Sequence, residues 1–159
     1  MRAPVTAYIA LGANLGKPGQ TLAKAMDDMA MIDGITVTKR SSLYRTAPVE
    51  SSGPDYVNAV VEIQTVLSAP ELLARMQQLE QEAGRERAYF NAPRTLDIDI
   101  LTYGEASVNS PALLIPHPRM NARAFVLVPL AEIAPHRVTQ EQLVAVQPQI
   151  IERLPGNNL

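Results

Sequence analysis

Three features of the 159-residue sequence predict an α+β fold. Short runs that alternate apolar and polar residues mark strands. Two longer stretches, with apolar residues every three or four positions, mark amphipathic helices. Through Tyr103 these segments follow the order strand, helix, strand, strand, helix, strand. That βαββαβ order predicts a ferredoxin-like sandwich, an antiparallel sheet with helices on one face. The first and last strands are expected to be central neighbours. A C-terminal helical extension follows, and it or a ligand is expected to cover the second face.

Composition narrows the class. A hydrophobic fraction of 47% and a charged fraction of 19% suit one domain over residues 1–159 with a sizeable core. The net charge of -2, from 14 basic and 16 acidic residues, excludes a global nucleic-acid footprint. No cysteine is present. Disulfides, a thiolate nucleophile and Cys-ligated metal centres are therefore excluded, and a cytoplasmic location is expected. No apolar run approaches the ~20 residues of a membrane span, and the N-terminus does not read as a signal peptide.

The first strand is expected over Val5–Leu11, stopped by the Gly12–Gly16 turn residues. That turn lacks the GxxxxGK[ST] phosphate loop. Leu22, Ala25, Met26, Met29 and Ile32 place a helix from Pro18 to Ile32, ended by Asp33-Gly34. A second strand is expected from Ile35 to Arg45. The Pro/Gly/Ser-rich stretch from Thr46 to Asp55 is too long for a tight hairpin, and such loops are often functional. The third strand, Tyr56–Thr65, puts Val57, Ala59, Val61 and Ile63 on one face and Tyr56, Asn58, Val60, Glu62 and Gln64 on the other. An aromatic ring beside a carboxamide suits a flat, hydrogen-bonding heterocycle, or else forms an ordinary cross-strand pair.

A capping box at Ser68–Glu71 opens the second helix, which Gly84 stops. Gln77 and Glu80 lie one turn apart on it, facing either solvent or a site. Arg85, Arg87 and Arg94 fall within ten residues of loop. Guanidinium groups bind phosphate through a planar fork. The next strand carries Leu96, Ile98 and Ile100 on one face and Thr95, Asp97, Asp99 and Leu101 on the other. Asp is a poor strand former, and the two Cα atoms of such a pair sit ~6.6 Å apart. The pair reads either as a Mg²⁺-phosphate site or as a solvated edge that blocks aggregation.

Beyond Tyr103, Gly104-Glu105 turns the chain and Ala106–Val108 is expected to pair back. Asn109–Leu114 reads as irregular. His117 sits between Pro116 and Pro118, where its ring could serve as a phosphate donor. Met120–Ile133 reads as a helix kinked or broken at Pro129. Thr139–Gln142 forms a capping box for a short helix that Pro148 interrupts. Leu154–Leu159 reads as a frayed tail.

These residues together resemble one family. The motifs are Ala10–Gly16, Tyr44-Arg45-Thr46-Ala47-Pro48, Pro54–Ala59, Gly84–Arg87, Ala92–Leu101, and Ile115-Pro116-His117 with Arg123 and Phe125. In that order and spacing, over Ala7 to Val138, the chain resembles 6-hydroxymethyl-7,8-dihydropterin pyrophosphokinase of folate biosynthesis. The resemblance implies that ATP gives its β,γ-pyrophosphoryl unit to the pterin hydroxymethyl oxygen, leaving AMP. It implies two Mg²⁺ ions bridged by Asp97 and Asp99. Arg85 and Arg94 would act on the phosphates, with Arg87 assisting. Leu73, Gln77, Glu80, Ile100, His117 and Arg123 match ATP-contacting positions. Thr46, Ala47, Val49, Tyr56, Asn58 and Phe125 match the pterin pocket. Phe90 and Asn91 depart from the family pattern, which often has a basic residue and a Trp there. A monomer is expected, with partners limited to ATP and the pterin and with no nucleic acid or membrane. The rival readings are a nucleotide-sugar glycosyltransferase, a non-catalytic nucleotide or pterin binder, and a purely structural sandwich.

Overall fold

The structure is a computed structural model that describes residues 3–47, 54–84 and 96–155. It is a mixed α/β arrangement around one antiparallel six-stranded sheet. The strands are β1 (Val5–Ala13), β2 (Ile35–Arg40), β3 (Tyr44–Thr46), β4 (Tyr56–Thr65), β5 (Asp97–Tyr103) and β8 (Ile151–Arg153). Their order is β5-β1-β4-β3-β8, with β2 also on β4. The first strand does neighbour β5, as expected, but β5 lies at the end of the sheet and β4 takes the second central place.

Helices α1 (Pro18–Ala30) and α2 (Ala69–Gly84) pack on one face. Ile9, Leu11, Ala59, Val61, Ile63, Ile98 and Ile100 meet Leu22, Met29, Leu72 and Met76 there. Burying such a side chain fully contributes ~1.5–3 kcal/mol, so this layer supplies much of the driving force. The Ser68–Glu71 capping box forms as expected, each residue's side chain accepting from the other's backbone N–H.

Among the described residues, the second face is covered at one end only. Helix α3 (Ala124–Ile133) lays Val126, Leu130 and Ile133 on Tyr8, Val60 and Leu101. Helix α4 (Gln140–Val146) then packs on α3, started by the Thr139–Gln142 capping box. Among the described residues, no helix is long and apolar enough to cross a membrane.

Several expectations are corrected. The first strand runs on through Gly12 to Ala13, because Gly12 pairs with both Asn58 and Asp97. The second strand divides into β2 and β3. Between them Ser41 takes over the pairing, its N–H donating to Val60 O and its Oγ accepting from Val60 N, both at 2.9 Å. Val108 does not pair back on β5. Instead β6 (Val108–Asn109) pairs with β7 (Leu114–Ile115), inside the stretch expected to be irregular. The segment from Met120 breaks at Arg123, not at Pro129. A 3₁₀ turn covers Met120–Ala122, Arg123 is extended, and α3 runs through Pro129 to Ile133. Leu154, the first residue of the stretch expected to fray, is buried and donates to Leu43 O at 2.8 Å, directly after β8 joins the sheet; residues 156–159 lie outside the described residues.

One irregularity matters for the site. The β1–β5 register shifts between Tyr8 and Ile9, which pair with Thr102 and Ile100. Leu101 is therefore an extra residue on β5, a bulge: Leu101 keeps the face it shares with Asp97 and Asp99, under α3, and beyond it Tyr103 joins the core on the opposite face. Thr102 lies beside it with a buried Oγ1 that finds no hydrogen-bond partner among the described residues.

Candidate active site

Beyond the reach of α3, the second sheet face forms the floor of a cleft of about 880 Å³ among the described residues. One row across the sheet explains the shape. Asp97 pairs with Gly12, Gly12 with Asn58, and Asn58 with Tyr44. Strands stand ~4.8 Å apart, so Asp97 and Asn58 flank a gap of roughly 10 Å between Cα atoms. Gly12 has no side chain to fill it, and Ala10 next to it on the floor adds only a methyl group.

The room is close-cut. A Cβ on Gly12 would lie 2.9 Å from Asn58 Oδ1. Asn58 is 5% exposed, and its Nδ2 donates to Thr46 Oγ1 at 2.8 Å. Thr46 is itself buried. The carboxamide is thus fixed, with Oδ1 turned toward the β1 backbone. Tyr56, two residues earlier on β4, shares its face and borders the cleft. Phe125 stands at the start of α3, with the Arg123 guanidinium carbon 5.2 Å from its ring centroid. A cation so placed interacts favourably with the ring face.

Asp97 is exposed and Asp99 partly buried, both on the cleft side of β5. His117 approaches from the β7 side, with Nε2 4.0 Å from Asp99 Oδ1. Its backbone N–H donates to Leu101 O, and its Nδ1 accepts from Arg119 N at 3.2 Å. With Nδ1 an acceptor, the ring proton belongs on Nε2, facing the carboxylate. Among the described residues no group of three or more His, Cys, Asp or Glu is placed to hold a metal. An exposed Asp97 with a partly buried Asp99 on the same face nevertheless fits Mg²⁺, which typically takes one or two carboxylate ligands and completes its shell with water and phosphate oxygens.

The cleft thus gathers Thr46, Ala47, Tyr56, Asn58, Asp97, Asp99, Arg123 and Phe125 from the expected positions. Leu73, Gln77, Glu80, Ile100 and His117 do not line it. The first three lie on α2. Ile100 is buried beneath the sheet. Glu80 Oε2 accepts from Ile98 N at 2.7 Å, tying α2 to the outer edge of β5. Val49, Arg85, Arg87 and Arg94, with Phe90 and Asn91, lie outside the described residues. Sequence reasoning missed Arg119, Pro148, Gln149 and Ile150, which also border the cleft.

Two carboxylates are tuned away from the site. Burial alone pushes the Glu62 carboxyl up. Hydrogen bonds from Tyr8 and Thr38, together with Lys39, outweigh it and hold the group below its ordinary value. Glu132 on α3 behaves alike, with burial overcome by Tyr44, Ser42 and Arg153. The Tyr8 phenol, buried and bonded to Glu62, is pushed up to about 12.

Comparison with known proteins decides the family. Residues 8–135 match the family described as 7,8-dihydro-6-hydroxymethylpterin-pyrophosphokinase. The chain belongs to this family. It is 42% identical over 151 residues to the 2-amino-4-hydroxy-6-hydroxymethyldihydropteridine pyrophosphokinase of Haemophilus influenzae, covering 94% of this chain and 91% of that one. It is 44% identical over 129 residues to the enzyme of the same name from Synechocystis sp., covering 81% of this chain but 66% of the relative. A crystal structure of wild-type Plasmodium falciparum HPPK-DHPS superposes with a TM-score of 0.63 at 12% identity. There the match covers 83% of this chain and 41% of the larger one, and it shows a shared fold. The family match includes the whole row from Gly12 to Asp97 and ends before α4.

Proposed function

We propose that the chain transfers the β,γ-pyrophosphoryl unit of ATP to the hydroxymethyl oxygen of 6-hydroxymethyl-7,8-dihydropterin, giving AMP and the pterin diphosphate. The observation that carries this reading is a single cleft holding Asn58, Tyr56 and Phe125 at one side and Asp97 and Asp99 at the other. Asn58, fixed by Thr46, offers its carboxamide to the pterin edge, and Tyr56 and Phe125 offer ring contact. Ala47 borders the same cleft, and the family pattern would add backbone atoms of Ala47 and Val49 to the pterin contacts.

The ATP positions on α2 and β5 fall across the β5 edge from this pocket. Leu73, Gln77, Glu80 and Ile100 would take the nucleoside along that edge. His117 Nε2–H and Arg123 would meet its phosphates. The two aspartates then stand between the donor phosphate and the acceptor hydroxyl. Asp97 and Asp99 would hold two Mg²⁺ ions, which supply charge neutralisation on the phosphates and a more acidic hydroxyl. In the step itself the bond between Pα and the bridging oxygen to Pβ stays with AMP, the Pβ–O bond breaks, and the hydroxymethyl oxygen bonds to Pβ as its proton departs. Such a transfer asks the protein mainly for alignment and electrostatic stabilisation. Arg85 and Arg94, assisted by Arg87, would supply the latter.

The βαββαβ core is read as ferredoxin-like, and the whole chain as one domain acting as a cytoplasmic monomer. Light scattering at the 17.3 kDa monomer mass would support the last point, and a dimer mass would refute it.

The test of the function is AMP release from ATP, Mg²⁺ and the pterin, with Asp97→Ala alongside. Asp97 is exposed, so its removal leaves stability within about 0.5 kcal/mol. The rate is expected to fall well beyond tenfold, since each ~1.4 kcal/mol of lost transition-state stabilisation is a factor of ten. A folded variant with an undiminished rate would refute the metal assignment. A wild-type protein that releases no AMP would refute the function.

A further inference from the structure

Gln149 lies beyond the residues matched to the family, 8–135, in the segment after α4. Its side-chain amide reaches back 25 residues. Oε1 accepts from Ala124 N at 2.8 Å, and Nε2 donates to Ala122 O at 2.8 Å. The two bonds bracket Arg123, and Phe125 follows directly. Only one orientation of the amide satisfies both, because one partner is a donor and the other an acceptor.

This contact answers a need that the local sequence leaves open. The first N–H groups of a helix have no partner within it, and a Ser, Thr, Asp or Asn at the N-cap usually satisfies one. The N-cap of α3 is Arg123, and its side chain makes no capping bond. Gln149 caps the helix from outside. Gln142 adds a neighbouring tie, its Nε2 donating to Asn121 Oδ1 at 3.2 Å. Pro148, Gln149 and Ile150 also border the cleft, so the capping segment is itself part of the wall.

We infer that Gln149 is a positioning residue for substrate binding: its amide clamps the corner from Ala122 to Ala124 and so sets Arg123 and Phe125 against the cleft. The inference rests on the proposed function, which gives Arg123 and Phe125 their ligands. Gln149 acts through these neighbours, since its Oε1 is already committed to Ala124.

The test compares the full-length wild type with Gln149→Leu, which removes both bonds at similar size, and Gln149→Glu, which keeps only the acceptor for Ala124. KM for ATP and for 6-hydroxymethyl-7,8-dihydropterin, kcat, and amide exchange at Ala124 are measured. In Gln149→Leu the Ala124 amide should exchange faster while the β4 amides stay protected. KM for both substrates should rise by roughly tenfold, the size of one lost capping interaction of ordinary strength, with kcat changed less. Gln149→Glu should fall between the two. A merely structural role would reduce the folded fraction, lowering apparent kcat with both KM values unchanged, and that result overturns the inference. So does an unchanged KM with a deprotected Ala124. Should Gln149→Leu not fold, Gln149→Glu decides by the same KM criterion. A wild type without AMP release brings down the functional reading, while unchanged Ala124 exchange in the variants brings down the clamp.

Discussion

Gly12→Ala isolates the cleft floor from the stability of the fold. The added Cβ would stand 2.9 Å from Asn58 Oδ1, and its next neighbour, Val57 O, is 3.9 Å away. Asn58 alone must therefore yield. Rotating it strains its rotamer by ~0.5–1.5 kcal/mol and loosens the bond to Thr46, worth ~1 kcal/mol. Replacing Gly by Ala within a strand returns ~0.5–1 kcal/mol by restricting the unfolded chain. The net change in stability should thus stay within about 1–2 kcal/mol, a Tm shift of at most ~8 °C for a chain of this size. Pterin binding has no such compensation. Displacing a carboxamide that makes one or two ligand hydrogen bonds should cost ~1–3 kcal/mol, or about five- to 150-fold in Kd. Isothermal titration with the pterin, and separately with ATP and Mg²⁺, reads both. ATP affinity should stay within about threefold, because nothing on the α2 side of β5 moves. Unchanged pterin affinity in a folded variant would show that Asn58 does not hold the ligand.

Two predictions concern pH. Glu62 and Glu132 titrate below their ordinary value in the folded chain, so their stabilisation is complete above 4.5 and is lost as pH falls through the lower folded values. Thermal melts of Glu132→Gln between neutral and acid pH should show a lower Tm at neutral pH and a shallower acid decline than the wild type; parallel curves would contradict the assignment. Tyr8 shows the opposite sense. Its protonated form is favoured by folding, so that contribution is complete below 10.0 and is lost as pH rises toward about 12. An ultraviolet titration of Tyr8→Phe should lack the phenolate transition at about 12, and its persistence would reassign that group.

The strand β4 was fully legible in the sequence because its alternation is uninterrupted and its two faces meet different surroundings. Val57, Ala59, Val61 and Ile63 enter the core, while Tyr56 and Asn58 border the cleft. Asp97 and Asp99 were legible for a related reason: acidic residues break an otherwise apolar strand. The starts and ends of elements were less so. Ser41 replaces ladder bonds with a side chain, which no periodicity encodes. The break at Arg123 was hidden because the cap for α3 comes from Gln149, far along the chain, and Pro129 offered a more obvious place to stop. Strand β8 has three residues and no alternating pattern, so only its pairing with β3 reveals it. The cleft wall at Arg119 and Pro148–Ile150 carried no signal because its chemistry depends on the end of the chain folding back.

The sheet that floors the cleft is also the middle layer of the core, with β1 and β4 paired along both edges. Gly12 and Asn58 therefore cannot come loose without breaking ladders that the helices on the opposite face hold shut. Their amides should exchange with solvent only through opening of the whole sheet, at the slow rate set by global stability. The α3 corner has no such backing: its first amide depends on a single side chain. On the proposed reading, recognition is divided between a floor as durable as the fold and a wall that local substitutions can shift while the sheet stays closed.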